Sequence, residues 1–338
     1  MDPRSESKSS WLSALLAPVS ADEFLSRHWL KQHLLCHGSA DRFAGLLSWT
    51  SLNDILARHW REPQRFRLAC RGHDLDPASY ADVGGSNPRI RANDVTDQLR
   101  RGATLSFDAI DELHEPLTRL SESFEAFFRA GTQINIYAAF RALHGLDLHR
   151  DDQEIFILQL DGRKRWLLYG FSVDDVDRNE LVDSSVPPAG ALLDEILQPG
   201  DLLYIPRGCY HVAVPLNEPA LHLTLGVKNP QRSRPAFNLP WSATTELLPP
   251  SGDFFVKLHI QAHLVRDDNP EAGSIRLHYA GRRFRFPQSM QWIIEPLEDG
   301  TPVPMSRLIE TVAGRLDGEM VRLLVGMLLT QGLISIRV

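Results

Sequence analysis

The sequence predicts a mainly β protein with helices: a β-sandwich or barrel, preceded by short helices and followed by a small winged-helix-like domain. Three observations carry this. From Thr132 to Val227, short runs rich in Ile, Leu, Tyr and Val recur between Gly, Pro, Asp and Asn turns. Before Thr132 the apolar residues recur at helical spacing. Beyond Gly252, two helical runs lead to a break at Gly332 and a short apolar tail. The 338 residues, 43% of them hydrophobic, suffice for one large domain and a small one. The boundaries fall at 1–228 for the β domain with its N-terminal helices, 229–252 for a connector and 253–338 for the winged-helix-like domain.

Leu12, Leu15 and Leu16, then Phe24, Leu25, Trp29 and Leu30, then Leu47, Leu52, Ile55 and Leu56 place short helices between Trp11 and Arg58. Asp94–Arg101 and Asp108–Phe128 continue the helical period, the second with a broad apolar face from Leu113 to Phe128. Strands are predicted over Gln133–Phe140, Glu154–Leu160, Lys164–Tyr169, Asp201–Ile205, Tyr210–Val214 and Ala220–Val227. Pro230, Pro235, Pro240, Pro249 and Pro250 mark the connector as a surface segment. Ser274–Phe286 follows as strand, Met305–Leu316 and Glu319–Gln331 as helices, and Leu333–Val338 as a last strand.

The formal charge of −7 gives no support to broad attraction to nucleic acid or anionic membrane. Cys36, Cys70 and Cys209 are odd in number and far apart, which excludes a disulfide framework and a paired-cysteine zinc site. With a polar N-terminus and no run of about 18 apolar residues, the chain reads as soluble and cytoplasmic. From Ser251 to Val338 ten basic residues balance ten acidic ones. A DNA-reading module is usually clearly basic, so a structural or peptide-docking role is favoured for this tail.

The chemistry is concentrated in His149-Arg150-Asp151 and in His211, which ends the run Pro199–His211. Two imidazoles and a carboxylate, with the first pair two residues apart in a strand, are the ligand set of a facial non-haem iron(II) site with open positions. Asp161-Gly162 reads as a two-residue hairpin turn that pairs Gln159 with Lys164. Counting back in twos from Gln159 through Ile157, Ile155 and Gln153 reaches Asp151 and His149, so Lys164 faces the metal side. An inward lysine is costly unless an anion meets it. Iron(II) with neutral histidines and an ionised Asp151 carries about +1 and Lys164 about +1, so a dianion such as 2-oxoglutarate brings the set near neutrality. Asn135 and Tyr137, on one face of the strand before the metal, are candidates to hydrogen-bond this co-substrate or to shape the substrate pocket. His144, Cys209 and Trp166 are read as structural, and Asp152 and Glu154 as outward and solvated; His222 and Thr224 lie on a strand leaning over the same cavity, where a core role and contact with the co-substrate both stay open. Arg65, Arg67, Arg71, Asp74 and Asp76 are candidates for the border of a substrate groove.

The run His149 to Trp166, with Gly200-Asp201-Leu202-Leu203-Tyr204-Ile205-Pro206-Arg207-Gly208 and His211, resembles the JmjC-type ribosomal oxygenases, cupin-like protein hydroxylases. The resemblance runs from about Phe24 to Val227, and more weakly into the winged-helix-like tail. It implies a double-stranded β-helix of the cupin or jelly-roll kind. It also implies iron(II) on His149, Asp151 and His211, with Lys164 on the distal carboxylate of 2-oxoglutarate and Asn135 and Tyr137 lining the pocket. Dioxygen and 2-oxoglutarate would then give succinate, carbon dioxide and a hydroxylated histidyl or arginyl residue of a ribosomal protein. Two features depart from the family: Ala220 stands where a serine is common, and the connector does not read as the family's helical dimerisation segment. A monomer and a homodimer are both compatible with the sequence. Three other functions fit the same residues: hydroxylation of a biosynthetic precursor peptide or small molecule, a cupin sensor joined to a DNA-binding winged helix, and a cupin that binds metal without turnover.

Overall fold

The computed structural model describes residues 11–143, 145–171, 187–227, 248–249, 253–259, 263–265, 274–279 and 282–337. The chain divides into two compact units, Met1–Glu122 with Thr132–Lys228, and Ser123–Gly131 with Asn229–Val338. The predicted connector lies almost wholly outside the described residues, as does His144.

In the first unit, helices α1 (Trp49–Arg58), α2 (Ala92–Arg100) and the start of α3 (Glu115–Phe128) accompany two larger antiparallel sheets, described next, and a two-stranded ribbon of Ala81–Asp82 with Arg89–Ile90. Ser48 caps α1 by accepting the Ser51 N–H at 3.1 Å, and Leu52 and Ile55 form its buried face. In chain order the strands are β1 (Leu34–Cys36), β2 (Phe66–Cys70), β3 (His73–Asp74), β4 (Thr104–Phe107), β5 (Thr132–Ala139), β6 (Glu154–Asp161), β7 (Lys164–Gly170), β8 (Leu193–Leu197), β9 (Leu202–Ile205), β10 (Tyr210–Pro215) and β11 (Ala220–Val227). The large sheet has the order β1-β9-β6-β11-β5-β4-β2-β3 and the small one β8-β7-β10. All six strands predicted here form, within a residue or two at each end. β1, β2, β3, β4 and β8 had not been anticipated.

The predicted hairpin at Asp161-Gly162 does not form. β6 pairs with β9 and β11 in the large sheet, whereas β7 pairs with β8 and β10 in the small one. The two residues turn a corner between sheets. Gly162 takes φ +59°, and a Cβ there would stand 1.9 Å from the Pro219 carbonyl oxygen, so only glycine fits. The buried Gln159 holds the corner, its Nε2 donating to the carbonyls of Asp161 (2.9 Å) and Gly162 (3.1 Å). Lys164 still points inward, because Ile155 and Ile157 of the large sheet and Trp166 and Leu168 of the small one share one core.

β6 is buried on both faces from Glu154 to Leu158, the pattern of a covered strand. Its outer face carries Phe156, which packs with Tyr204, Phe24 and Trp29 of the N-terminal segment at ring separations of 5.0 to 6.4 Å. Glu154 belongs to this layer and is not solvated as expected. It accepts hydrogen bonds from the Tyr204 hydroxyl and from the Arg207 N–H at 3.2 Å. Asp152 does face solvent, in an ion pair with Arg207.

In the second unit, β12 (Phe255–Leu258) lies between two partners, Val303–Pro304 and the last strand, Ile334–Arg337. Ser274–Phe286 is not one strand but a pair, Ser274–Tyr279 with Arg282–Pro287. Helices α4 (Met305–Val312) and α5 (Gly318–Thr330) form where predicted, although α4 ends at Val312 and not at Leu316, and Asp317 caps α5 through the Met320 N–H at 2.7 Å. Phe254, Val256, Leu277, Leu308, Val325 and Leu328 are central to this unit's own core. Each fully buried aliphatic side chain of this kind contributes about 1.5–3 kcal/mol. Among the described residues, no helix is long and apolar enough to cross a membrane.

Candidate metal centre

Two backbone hydrogen bonds bring the predicted ligands together. His149 N–H donates to the His211 carbonyl at 3.1 Å and His211 N–H to the His149 carbonyl at 2.8 Å, an isolated antiparallel bridge at the start of β10. His149 and Asp151 are therefore not on a regular strand as expected, but on the segment leading into β6. The bridge gives them the same alternation. The imidazole rings lie 4.5 Å apart, and His211 Nε2 is 3.5 Å from Asp151 Oδ2. Gly208 N–H holds the Asp151 carbonyl at 2.9 Å, and Arg150 turns away to lie over the Tyr210 ring.

One potential ligand atom from each of His149, Asp151 and His211 lies within 4.8 Å of the other two. Each histidine uses Nδ1 on a backbone carbonyl, His149 on Asp147 at 2.7 Å and His211 on Cys209 at 2.9 Å. Those bonds fix the tautomer and leave Nε2 as a free lone pair, the usual support for a metal-binding imidazole. Burial, reinforced by His149, pushes the pKa of His211 down and keeps the ring neutral, the form that ligates. The donor set fits a divalent transition ion with open coordination positions.

The same three residues border a cavity of about 240 Å³ that Lys164 also lines. Lys164 is only 4% exposed and meets no carboxylate among the described residues, and burial pushes its ammonium down to about 7. An unpaired buried lysine opposite a metal site fits an anionic ligand between them.

Register explains the rest of the wall. Arg67 opposes Ser106, Ser106 opposes Tyr137 and Tyr137 opposes His222, one row of polar side chains across β2, β4, β5 and β11. Opposed residues share a face, and all four line the cavity. Thr224 opposes Asn135 in a parallel row. Asn135 Oδ1 accepts from Ala109 N–H at 3.0 Å and Gln133 Nε2 at 2.8 Å, so this oxygen is engaged inside the protein. Burial raises the Tyr137 hydroxyl to about 12, keeping it a donor.

His222 and Thr224, for which core and co-substrate roles had both stayed open, border the cavity, and so does Trp166, expected as core. Of the five groove candidates only Arg67 and Asp74 reach it. Arg67 makes a forked pair with Asp108 at 3.1 and 3.2 Å and approaches Asp74 at 3.7 Å. Arg65 instead pairs with Glu62 and Glu112. Thr104 and Ser106 were missed, although the alternation Thr104-Leu105-Ser106-Phe107 is a strand pattern with its polar face inward.

Residues 110–234 match the JmjC domain family. The chain is 30% identical over 221 residues to ribosomal oxygenase 2 of Rattus norvegicus, covering 62% of this chain and 44% of the relative. It is 31% identical over 231 residues to the bifunctional lysine-specific demethylase and histidyl-hydroxylase NO66 of Drosophila grimshawi, 65% of this chain and 31% of the relative. The chain thus spans less than half the length of these relatives. Among solved structures, YcfD, a ribosomal oxygenase from Escherichia coli, superposes with a TM-score of 0.55 at 18% identity, covering 95% of this chain and 99% of YcfD. Over residues 110–234 the chain thus matches the JmjC domain, and it resembles the ribosomal oxygenases in sequence and in its fold of antiparallel sheet and helices.

Proposed function

We propose that the protein is an iron(II)- and 2-oxoglutarate-dependent oxygenase that hydroxylates a protein or peptide side chain. The observation that carries this is the meeting of His149, Asp151, His211 and the buried, unpaired Lys164 around one cavity. When bound, iron(II), dioxygen and 2-oxoglutarate supply the oxidising power, and the keto acid leaves as succinate and carbon dioxide. His149 and His211 hold the metal through Nε2 and Asp151 through a carboxylate oxygen. Lys164 binds the distal carboxylate, and its charge offsets the dianion. The apolar walls, Ile155 and Ile157 among them, keep water from this end. Tyr137 and Asn135 line the path between co-substrate and substrate.

The substrate we infer is a histidyl or arginyl residue of a ribosomal protein. Two relatives carry the names ribosomal oxygenase and histidyl-hydroxylase, and a solved complex of YcfD holds cobalt and 2-oxoglutarate. Residues 1–228 are the catalytic part in this reading, 229–252 a connector, and 253–338 a winged-helix-like domain that docks peptide or stabilises the fold. The cytoplasm, where ribosomal proteins are at hand, is the proposed compartment. Incubation with iron(II), 2-oxoglutarate and purified ribosomal proteins, followed by mass spectrometry, tests the proposal. A gain of one oxygen on a single histidyl or arginyl residue supports it, and succinate release that no ribosomal protein stimulates contradicts the substrate.

A further inference from the structure

We infer that His222 is a second positioning group for the distal carboxylate of the co-substrate, donating its Nδ1–H beside the Lys164 ammonium; this rests on the 2-oxoglutarate reading above. His222 is 2% exposed, it lines the cavity, and its buried Nδ1 has no hydrogen-bond partner among the described residues. Leaving a buried polar nitrogen unmet costs about 1–3 kcal/mol, a cost that a ligand in the cavity removes.

The plane of the ring is held by its neighbours. It is stacked on Tyr137, with centroids 5.1 Å apart and planes 7° apart, and the Trp166 ring meets it at 5.4 Å and 82°. Gln159 opposes it in register on β6, but Gln159 Oε1 is itself unpartnered, so the two do not meet. The position is at the lysine end of the cavity, because the Trp166 ring that meets it stands two residues from Lys164 on β7 and all three line the cavity.

Burial and that neighbouring ammonium hold the ring neutral. A neutral imidazole adds a donor without adding charge. Lys164 therefore offsets the anion while His222 satisfies and orients one of its oxygens, a division of labour that keeps the cavity near neutral. A histidine that served only to fill the core would leave its nitrogen on a carbonyl or at the surface.

The test is calorimetric, on the full chain loaded with Mn(II), with two ligands: 2-oxoglutarate, and 2-oxobutanoate, which keeps the keto-acid head but lacks the distal carboxylate. His222→Phe retains the stacked ring and loses the donor, His222→Leu loses both, and His222→Gln returns an N–H. A lost hydrogen bond to a charged group predicts about tenfold weaker 2-oxoglutarate binding in the Phe and Leu variants. Binding of 2-oxobutanoate stays at the wild-type level, and the Gln variant recovers most of the affinity for 2-oxoglutarate. Wild-type affinity in both donorless variants, or equal loss for both ligands, overturns the assignment of His222 and leaves the co-substrate reading standing. Failure of the wild-type chain to bind 2-oxoglutarate at all overturns both.

Discussion

Lys164 shows how one side chain can report the ligand it awaits. Burial brings its pKa down to about 7, whereas a bound dianion would stabilise the charged form and raise it again. Below pH 7 the free protein already carries the proton, so affinity for 2-oxoglutarate is highest there. Above it, binding must take up a proton, and affinity falls by up to about tenfold per pH unit until the pKa of the complex is reached. Calorimetry between about pH 6 and 9 is expected to show this slope in the wild-type chain, with proton uptake in buffers of different ionisation heat. Lys164→Met is expected to lower the affinity at pH 6 and to flatten the profile. At this scale the sequence was informative where the chemistry is local: His149, Asp151 and His211 were legible from residue type and spacing, and Lys164 from an inward lysine's need for an anion. Thr104 and Ser106 were not, and whether His222, Thr224 and Arg67 reach the cavity stayed open, because a row across four strands has no local signature.

The corner at Gly162 is the element on which the placement of Lys164 depends. Asp-Gly signals a tight turn, and the turn is present. Local sequence does not say whether the strands it joins pair with each other or with different neighbours. Lys164 nevertheless faces the predicted side, since the inner faces of both sheets bound one core. Gly162→Ala is expected to destabilise by about 2–4 kcal/mol, through a left-handed φ and a clash with the Pro219 carbonyl, measured as a shift in the urea unfolding midpoint. A second prediction concerns the outer layer. The Tyr204 hydroxyl accepts from Leu30 N–H at 2.9 Å and donates to Glu154, tying the N-terminal segment to β6 and β9. Tyr204→Phe is expected to cost about 1–3 kcal/mol, because Glu154 stays buried with one partner fewer. Equal midpoints for this variant and the wild type would remove that tie from the account. Glu154 itself misled the sequence reading: alternation sends it away from the metal, yet away from the metal is here a second buried layer.

For the whole molecule, the change of period near Thr132 was a sufficient sign of the β core, and helix, helix and final strand were legible in the second unit. The additional strands β1, β2 and β4 were not. They are short, and only their pairing to neighbouring strands makes them regular. Their addition widens the large sheet so that Arg67, Thr104 and Ser106 complete a wall the metal residues alone do not enclose. The account as a whole claims that triad and lysine act on one bound keto acid. Its most direct test is an anaerobic titration of the purified chain with iron(II) and 2-oxoglutarate, following the charge-transfer absorption that arises when the keto acid chelates the metal. The wild-type chain is expected to develop the band only with both components present, Asp151→Ala to show none, and Lys164→Met to need at least about tenfold more keto acid. A wild-type chain with no band, or a band that neither substitution alters, would contradict the account.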